Sequence, residues 1–318
     1  MARRKRRRAV KLPATIALAV VLFCSLLITA SPKLDLPFYV PTWQEIFSFV
    51  DLESDHTTNV PDHQLGVHFV DVGQADCTLL QYGEHAALVD AGNNADGPAV
   101  VQYLKDAGVT KLDFVIGTHP HEDHIGGLDD VINHFDVEKV ILPQVPDSIV
   151  PTTKTYKDVL EAVSGKGLKI TKAEVGDTYA VGEASLEILG PAGTFSDLNN
   201  ESVVSRVEFG KTSFLLTGDA EEEAEQAILD TGAKLKSTVL KVGHHGSRTS
   251  SSDAFLDEIS PSYGVILCGA GNDYGHPHKE AVNRLEERGV KLYRTDLNGT
   301  VVFVSDGRNV TVKTQKAG

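Results

Sequence analysis

From residue 67 onward, short apolar runs rich in β-branched residues alternate with longer runs whose apolar positions recur every three or four residues. VHFVDV (67–72), CTLLQY (77–82) and AALVDA (86–91) are too short for helices and are separated by turn residues, so they predict strands. PAVVQYLKDAG (98–108) opens on proline, gathers Val100, Val101 and Leu104 on one face and closes on glycine, which predicts a helix. The same reasoning makes DFVIGTH (113–119) a strand, LDDVINHF (128–135) a helix, VEKVILP (137–143) a strand and TYKDVLEAVSGKG (155–167) a helix. Strands follow at LEIL (186–189), SVVSRVEF (202–209) and TSFLLTG (212–218), then a helix at EEEAEQAILDTG (221–232). The remainder alternates strand TVLKVG (238–243), helix DAFLDEI (253–259), strand YGVILCG (263–269) and helix KEAVNRLEERG (279–289). It ends in strands VKLYRT (290–295), GTVVFV (299–304) and NVTVKT (309–314).

The strands fall into two successive groups with helices between them. Each apolar face must be buried, and this order does so as two mixed sheets packed face to face beneath outer helices, an α/β (α+β) architecture. Polar clusters stand at strand ends in both groups.

The first 63 residues do not share the pattern. Seven of the first eleven residues are basic, and residues 12–30 carry no charge. This predicts a basic n-region and transmembrane signal-anchor over 1–33. Basic residues before an apolar span stay cytoplasmic, so the rest would lie outside a single-span cell membrane protein, or be secreted if the segment is cleaved. Residues 34–63 lack sustained periodicity and read as an extracytoplasmic linker, leaving 64–318 as the folded domain.

Without the basic arm, 23 of the 30 basic residues face 44 acidic ones, a formal net charge of −21 for residues 12–318. Such a surface keeps an exported domain soluble and opposes broad non-specific binding to nucleic acid. Cys77 and Cys268 each lie in or beside an apolar run, which favours two buried thiols over a disulfide and offers no cysteine zinc cluster.

Residues 118–127 read THPHEDHIGG. The spacing places His119, His121, Asp123 and His124 in a loop that leaves a sheet edge and enters a helix through Gly126 and Gly127. Imidazole nitrogens and carboxylate oxygens are zinc-type ligands that also suit manganese or iron, and one compact loop can divide them between two ions. A lone H-x-H pair is more often a solvated loop. Here a second apolar strand, LLTGD, ends in Asp219, and HHGS puts His244 and His245 after a third.

These residues resemble the metallo-β-lactamase fold superfamily, whose H-x-H-x-D-H motif supplies two metals and whose later strand-end Asp bridges them. VDVGQAD (70–76), LVDAG (88–92), THPHEDHIGG, LLTGDA (215–220), LKVGHHGSRTSSS (240–252) and YGHPH (274–278) are similar to the ComEC-like branch, the C-terminal hydrolase domain of competence proteins, in stand-alone form. The resemblance covers about residues 64–305 and implies a four-layer αββα sandwich. It assigns His119 and His121 to a first metal, Asp123, His124 and His245 to a second, and Asp219 to both. His244 becomes a substrate-facing catalytic neighbour, although the two adjacent histidines could exchange roles. The superfamily's third histidine for the first metal is missing: between Ile125 and Asp219 only His134 occurs, on a helix surface, and the strand entrance reads Asn199-Asn200-Glu201-Ser202. Water or an amide oxygen would complete that shell, so the first metal is expected to be held weakly.

Paired ions activate water and balance charge on both oxygens of an in-line displacement, which favours phosphate esters. Asp123 could orient the attacking water, while Asp71, Asp76 or Asp90 could fix ligand imidazoles from behind; Asp71 reads equally as a turn residue. Ser247 and Arg248, before a helix N-terminus, form a candidate phosphate contact. Asn272, Tyr274 and His276 could line the same cleft, His276 foremost, with His278 nearly as readable as a turn. Glu221, Glu222 and Glu223 read as a solvated helix face, and Arg206, Lys211 and Lys241 define no basic groove.

The expectation is an exported, membrane-anchored binuclear hydrolase using two Zn or Mn ions, with Asp123, Asp219 and His244 in the catalytic roles. Its substrate would be DNA or another phosphodiester. The alternatives are a hydrolase of a small cell-envelope phosphodiester, a β-lactamase, and a non-catalytic binding module.

Overall fold

The computed structural model describes residues 60–316. The expected anchor and all but the last four residues of the expected linker lie outside the described residues. Among the described residues no helix is long and apolar enough to cross a membrane.

In chain order the first elements are β1 (Leu65–Phe69), β2 (Cys77–Tyr82), β3 (His85–Ala91), α1 (Gly97–Asp106), β4 (Lys111–Leu112), β5 (Phe114–Ile116), α2 (Glu122–Ile125) and α3 (Leu128–His134). Next come β6 (Asp136–Val137), β7 (Val140–Leu142), α4 (Lys154–Gly165), β8 (Ile170–Lys172), β9 (Thr178–Val181), β10 (Ala184–Ile188), β11 (Ser205–Phe209) and β12 (Thr212–Leu216). The chain continues through α5 (Glu222–Asp230), β13 (Val239–Lys241), a 3₁₀ turn (Gly243–Gly246), α6 (Asp253–Ile259), β14 (Tyr263–Ile266) and α7 (Lys279–Glu287). It closes with β15 (Lys291–Arg294), α8 (Thr295–Asn298), β16 (Val301–Ser305) and β17 (Val310–Thr314).

Two large sheets result, one ordered β17-β16-β1-β2-β3-β5-β7-β8 and the other β15-β14-β13-β12-β11-β10-β9. Val67, Phe69, Leu80, Val89 and Ile116 of the first pack against Leu186, Val207, Phe214, Val239 and Val265 of the second. Phe303 on β16 ties the layers together, meeting Phe69, Phe214, Tyr263 and Tyr293 edge-on with ring centroids 5.5–6.3 Å apart. On the far side of the first sheet, Leu79, Leu88 and Val115 pack with Leu104, Val131 and Val159 of α1, α3 and α4. On the far side of the second, Leu215, Leu240 and Ile266 pack with Ile228, Leu256 and Leu285 of α5, α6 and α7. The layers therefore run helix, sheet, sheet, helix. Burial on both faces explains why the strands read as near-continuous apolar runs.

The two-sheet expectation holds, with local differences. The short edge strands β8 and β9 were not read from the sequence. Most of their residues are exposed or only half buried, so little hydrophobic patterning marks them. β4 and β6 pair only with each other, over two residues each, and escape any periodicity argument. Each sheet has a parallel block, β3-β5-β7-β8 in the first and β12-β13-β14-β15 in the second. The carboxyl ends of β5, β12, β13 and β14 lead into the loops of the candidate site.

Candidate metal centre

His119 to His124 follow β5, Asp219 follows β12, His244 and His245 follow β13, and His276 follows β14. The motif histidines differ from the expected loop: Asp123 and His124 sit on the helical turn α2, with His121 as its N-cap. The glycine pair makes this possible. A Cβ on Gly126 would lie 2.2 Å from the Asn94 backbone nitrogen, and one on Gly127 would lie 2.4 Å from the Ala91 carbonyl oxygen. Only glycines let the motif press onto the loop after β3.

The ligand atoms of Asp123, His124, Asp219 and His245 all lie within 4.8 Å of one another. His124 Nε2 stands 3.2 Å from Asp219 Oδ2, and His245 Nε2 stands 3.2 Å from Asp123 Oδ2. The other ring nitrogens are held from behind, His124 Nδ1 by Asp90 at 2.8 Å and His245 Nδ1 by the Leu267 carbonyl at 2.9 Å, which turns each Nε2 inward. His119 stacks beside His124, ring centroids 4.1 Å apart, and its Nε2 is 2.9 Å from His121 Nδ1. His124 Nε2 and Asp219 Oδ1 are buried without a hydrogen bond. Two imidazole nitrogens, two carboxylates and these unpaired atoms fit one divalent ion of the zinc, manganese or iron type.

His245 is therefore the histidine that joins Asp123 and His124. His244 turns differently: Nδ1 pairs with Glu221 Oε1 at 2.9 Å, and Nε2 lies 3.7 Å from Asp219 Oδ2. Both adopt left-handed backbone, φ 47° and 51°, a conformation that costs non-glycine residues about 1–3 kcal/mol each and clusters at functional sites.

Charge balance is maintained by protons. Burial opposes a charge on His124, but Asp219 and Asp90 prevail and hold it protonated well above the histidine range. His245 is pushed up to about 10, because Asp219, Asp123 and Asp76 outweigh its burial. Burial resists charge on Asp219 too, yet His124 and His245 keep its carboxyl well below the usual range. Burial, then His124, drives His119 the other way, so it is neutral and able to ligate. In the metal-free protein, protons on His124 and His245 stand where an ion's charge would act.

The surrounding shell departs in part from expectation. Asp90 takes His124 and the Thr118 backbone and hydroxyl, and Asp76 Oδ1 lies 3.3 Å from His245 Nδ1. Asp71 does not join them: its carboxylate accepts from the Gly73 amide and pairs with Lys316. Lys241, expected only to form no part of a basic groove, is fully buried, paired with Asp76 and donating to the Gly218 carbonyl at 2.7 Å. Glu221 is no solvated residue either, since it accepts from His244 and from Thr249 Oγ1 at 2.9 Å. Glu222 and Glu223 are exposed as expected.

The expected phosphate contact at α6 is already filled. Glu225, buried on α5, accepts from the backbone amides of Ser251 and Ser252. Ser247 Oγ pairs with Thr249, Arg248 packs against His278, and neither lines the cleft. Asn272 braces His276 through its backbone N–H and C=O instead of facing the cavity.

The cavity, roughly 370 Å³, is lined by His121, Asp123, Asp219, His244 and His245 together with Gln74, Glu122, Asn199, Tyr274 and His276. Tyr274 is 69% exposed and stacks on His276, ring centroids 5.7 Å apart at 23°, and His276 in turn stacks over His245. Burial, with His244, lowers His276 to about 4, so its ring is neutral.

Comparison with known proteins agrees with this geometry. The family model described as Metallo-beta-lactamase superfamily matches residues 70–270. The chain is 30% identical to ComE operon protein 3 of Bacillus subtilis over 74% of its own length and 32% of that protein's. It is 32% identical to Competence protein ComA of Neisseria gonorrhoeae over 77% of its length and 33% of the relative's. The chain thus spans about a third of these curated relatives. Among solved structures, a CmlA beta-hydroxylase mutant superposes with a TM-score of 0.50 at 14% identity, covering 77% of this chain and 54% of that one, which speaks to the fold alone. A four-layer sandwich with candidate metal ligands at the ends of its parallel strands, matched over most of its described length, makes this chain a member of the metallo-β-lactamase superfamily, related to the ComEC-like competence proteins.

Proposed function

We propose that the domain is a metal-dependent phosphodiesterase acting on nucleic acid outside the cytoplasmic membrane, to which the N-terminal segment tethers it. The convergence of Asp123, His124, Asp219 and His245, with His119 and His121 alongside, carries this reading. Divalent ions held there, Zn or Mn, would supply Lewis-acid activation of water and of the phosphate. The chain's own groups do the remainder. Asp123 is part-exposed at the cavity and can orient a water for attack, while Asp90 and the Leu267 carbonyl fix the ligand rings. His244, backed by Glu221, faces the space beside Asp219 and can hydrogen-bond a phosphate oxygen. Tyr274 offers a flat exposed ring at the mouth, suited to stacking a base, and neutral His276 lies between it and the centre.

Support for DNA as substrate comes from the two competence proteins among the relatives. Support for export is the basic, then uncharged, N-terminal sequence. The test is to load the full-length protein with Zn or Mn and assay single- and double-stranded DNA, bis-p-nitrophenyl phosphate and a cephalosporin, beside Asp123→Ala. Cleavage of DNA and the diester, lost in the variant, is expected. Cleavage of small diesters but not DNA would redirect the search to cell-envelope phosphodiesters. Cephalosporin turnover alone, or no turnover at all, would sink the proposal.

A further inference from the structure

We infer that the side-chain oxygen of Asn199 is the third protein ligand, with His119 and His121, of the first metal ion. The inference takes from the proposed function only that a first ion binds.

His119 Nε2 and His121 Nδ1 face each other at 2.9 Å, a pair of ring nitrogens in want of further donors. His134, the one other histidine between Ile125 and Asp219, is exposed on α3 and bonded to the Asp130 carbonyl, so it cannot serve. The turn before β11 is built against this pair. Ser202 Oγ lies 3.2 Å from His119 Nδ1 and accepts from the Asp219 amide at 3.0 Å, which fastens the turn to both a first-metal histidine and the shared carboxylate. Asn199, three residues earlier, is held by its backbone: its N–H donates to Asp197 at 2.8 Å and its carbonyl accepts from Ser202 at 3.0 Å. Asn199 is among the residues that line the metal cavity, with His121, Asp219 and His244.

The Asn199 side chain is also among the groups that lower the Glu221 carboxyl, after His244 and Thr249. Asn199 Oδ1 is buried and makes no hydrogen bond. A buried orphan acceptor costs about 1–3 kcal/mol and demands a reason, of which an ion is one. Asn200 has no such vacancy, because its Oδ1 accepts from the backbone amides of Glu221 and Ala224. A neutral amide oxygen is a weaker, harder donor than imidazole, so the first ion binds less tightly than the second and tolerates manganese well.

The test measures metal, not turnover. Full-length wild type, Asn199→Ala, Asn199→Asp and Asn199→His are equilibrated with Mn or Zn, and ion content and affinity are read by mass spectrometry and chelator competition. Two ions are expected in the wild type, with the first weakened about tenfold or more in Asn199→Ala and tightened in the Asp and His variants. Glu221→Gln, which alters the carboxylate beside His244 and Thr249 but leaves Asn199 Oδ1 in place, should keep both ions. One ion in the wild type, or an Asn199→Ala protein whose first ion binds unchanged, would overturn the inference. If the alanine variant fails to fold, the histidine variant decides: no gain in first-ion affinity refutes the assignment. Two ions bound as expected, with no phosphodiester cleaved, would refute the proposed function and leave this ligand standing.

Discussion

His124 Nε2 lies 3.2 Å from Asp219 Oδ2, although one follows a strand of the first sheet and the other a strand of the second. Asp219→Ala should therefore remove the second ion and take away one counter-charge shared by the His124 and His245 rings. Metal analysis should show that loss, with kcat/KM for bis-p-nitrophenyl phosphate falling on the order of a thousandfold, since one well-placed charged group is commonly worth that much. Retained metal with retained activity would contradict the assignment.

Lys241 is the fixed cation under the site, fully buried between Asp76 and the Gly218 carbonyl. Removing one member of a buried pair strands the other charge, so Lys241→Met should lower metal-free stability by about 3–5 kcal/mol. Urea unfolding with a chelator present measures it. A variant as stable as the wild type would show that Asp76 finds other compensation.

The metal-free protein should lose stability as pH rises. His245 has a folded pKa near 10, above its unfolded value near 6.5, so its contribution is fully present below about 6.5 and disappears as pH climbs through 10. Metal affinity runs the opposite way, gaining about tenfold per pH unit for each proton displaced. Melting curves between pH 6 and 10 should thus fall in chelator and diverge from those with saturating Mn. Parallel curves would refute proton-for-metal exchange.

Tyr274 should matter for bases and not for phosphate. Stacking is worth about 1–3 kcal/mol per base, so Tyr274→Ala should raise KM for single-stranded oligonucleotides roughly 5- to 100-fold while leaving kcat nearly unchanged. Hydrolysis of methyl p-nitrophenyl phosphate, whose one aromatic group is the departing one, serves as the comparison. Equal losses on both substrates would assign the ring to general packing.

Much of the centre was legible because its ligands sit where apolar strands end. THPHEDH, Asp219 and HHGS each interrupt a hydrophobic run with metal-type side chains, and such interruptions are visible in one dimension. Glu221 was misread as solvated, and the buried pairing of Lys241 was missed, because their partners are remote: Asp76 lies on the opposite sheet's loop, and His244 is 23 residues beyond Glu221. A lysine inside the apolar run TVLKVG was the available signal. Glu225 was hidden for the same reason, since a helix-opening acid looks alike whether it faces water or caps Ser251 and Ser252. Conversely, Arg248 and Asn272 have suitable chemistry for substrate, but their local hydrogen bonds turn them to structural use.

Because Asp123 and His124 belong to one sheet's loops and Asp219 and His245 to the other's, the cluster acts as a clasp across the sandwich. Any sliding of one sheet over the other would pull these four groups out of register at once. Rigidity of the whole domain and readiness of its centre are then a single mechanical property, and loosening the Phe303 hub far from the cleft would be felt as a change in grip on the ions.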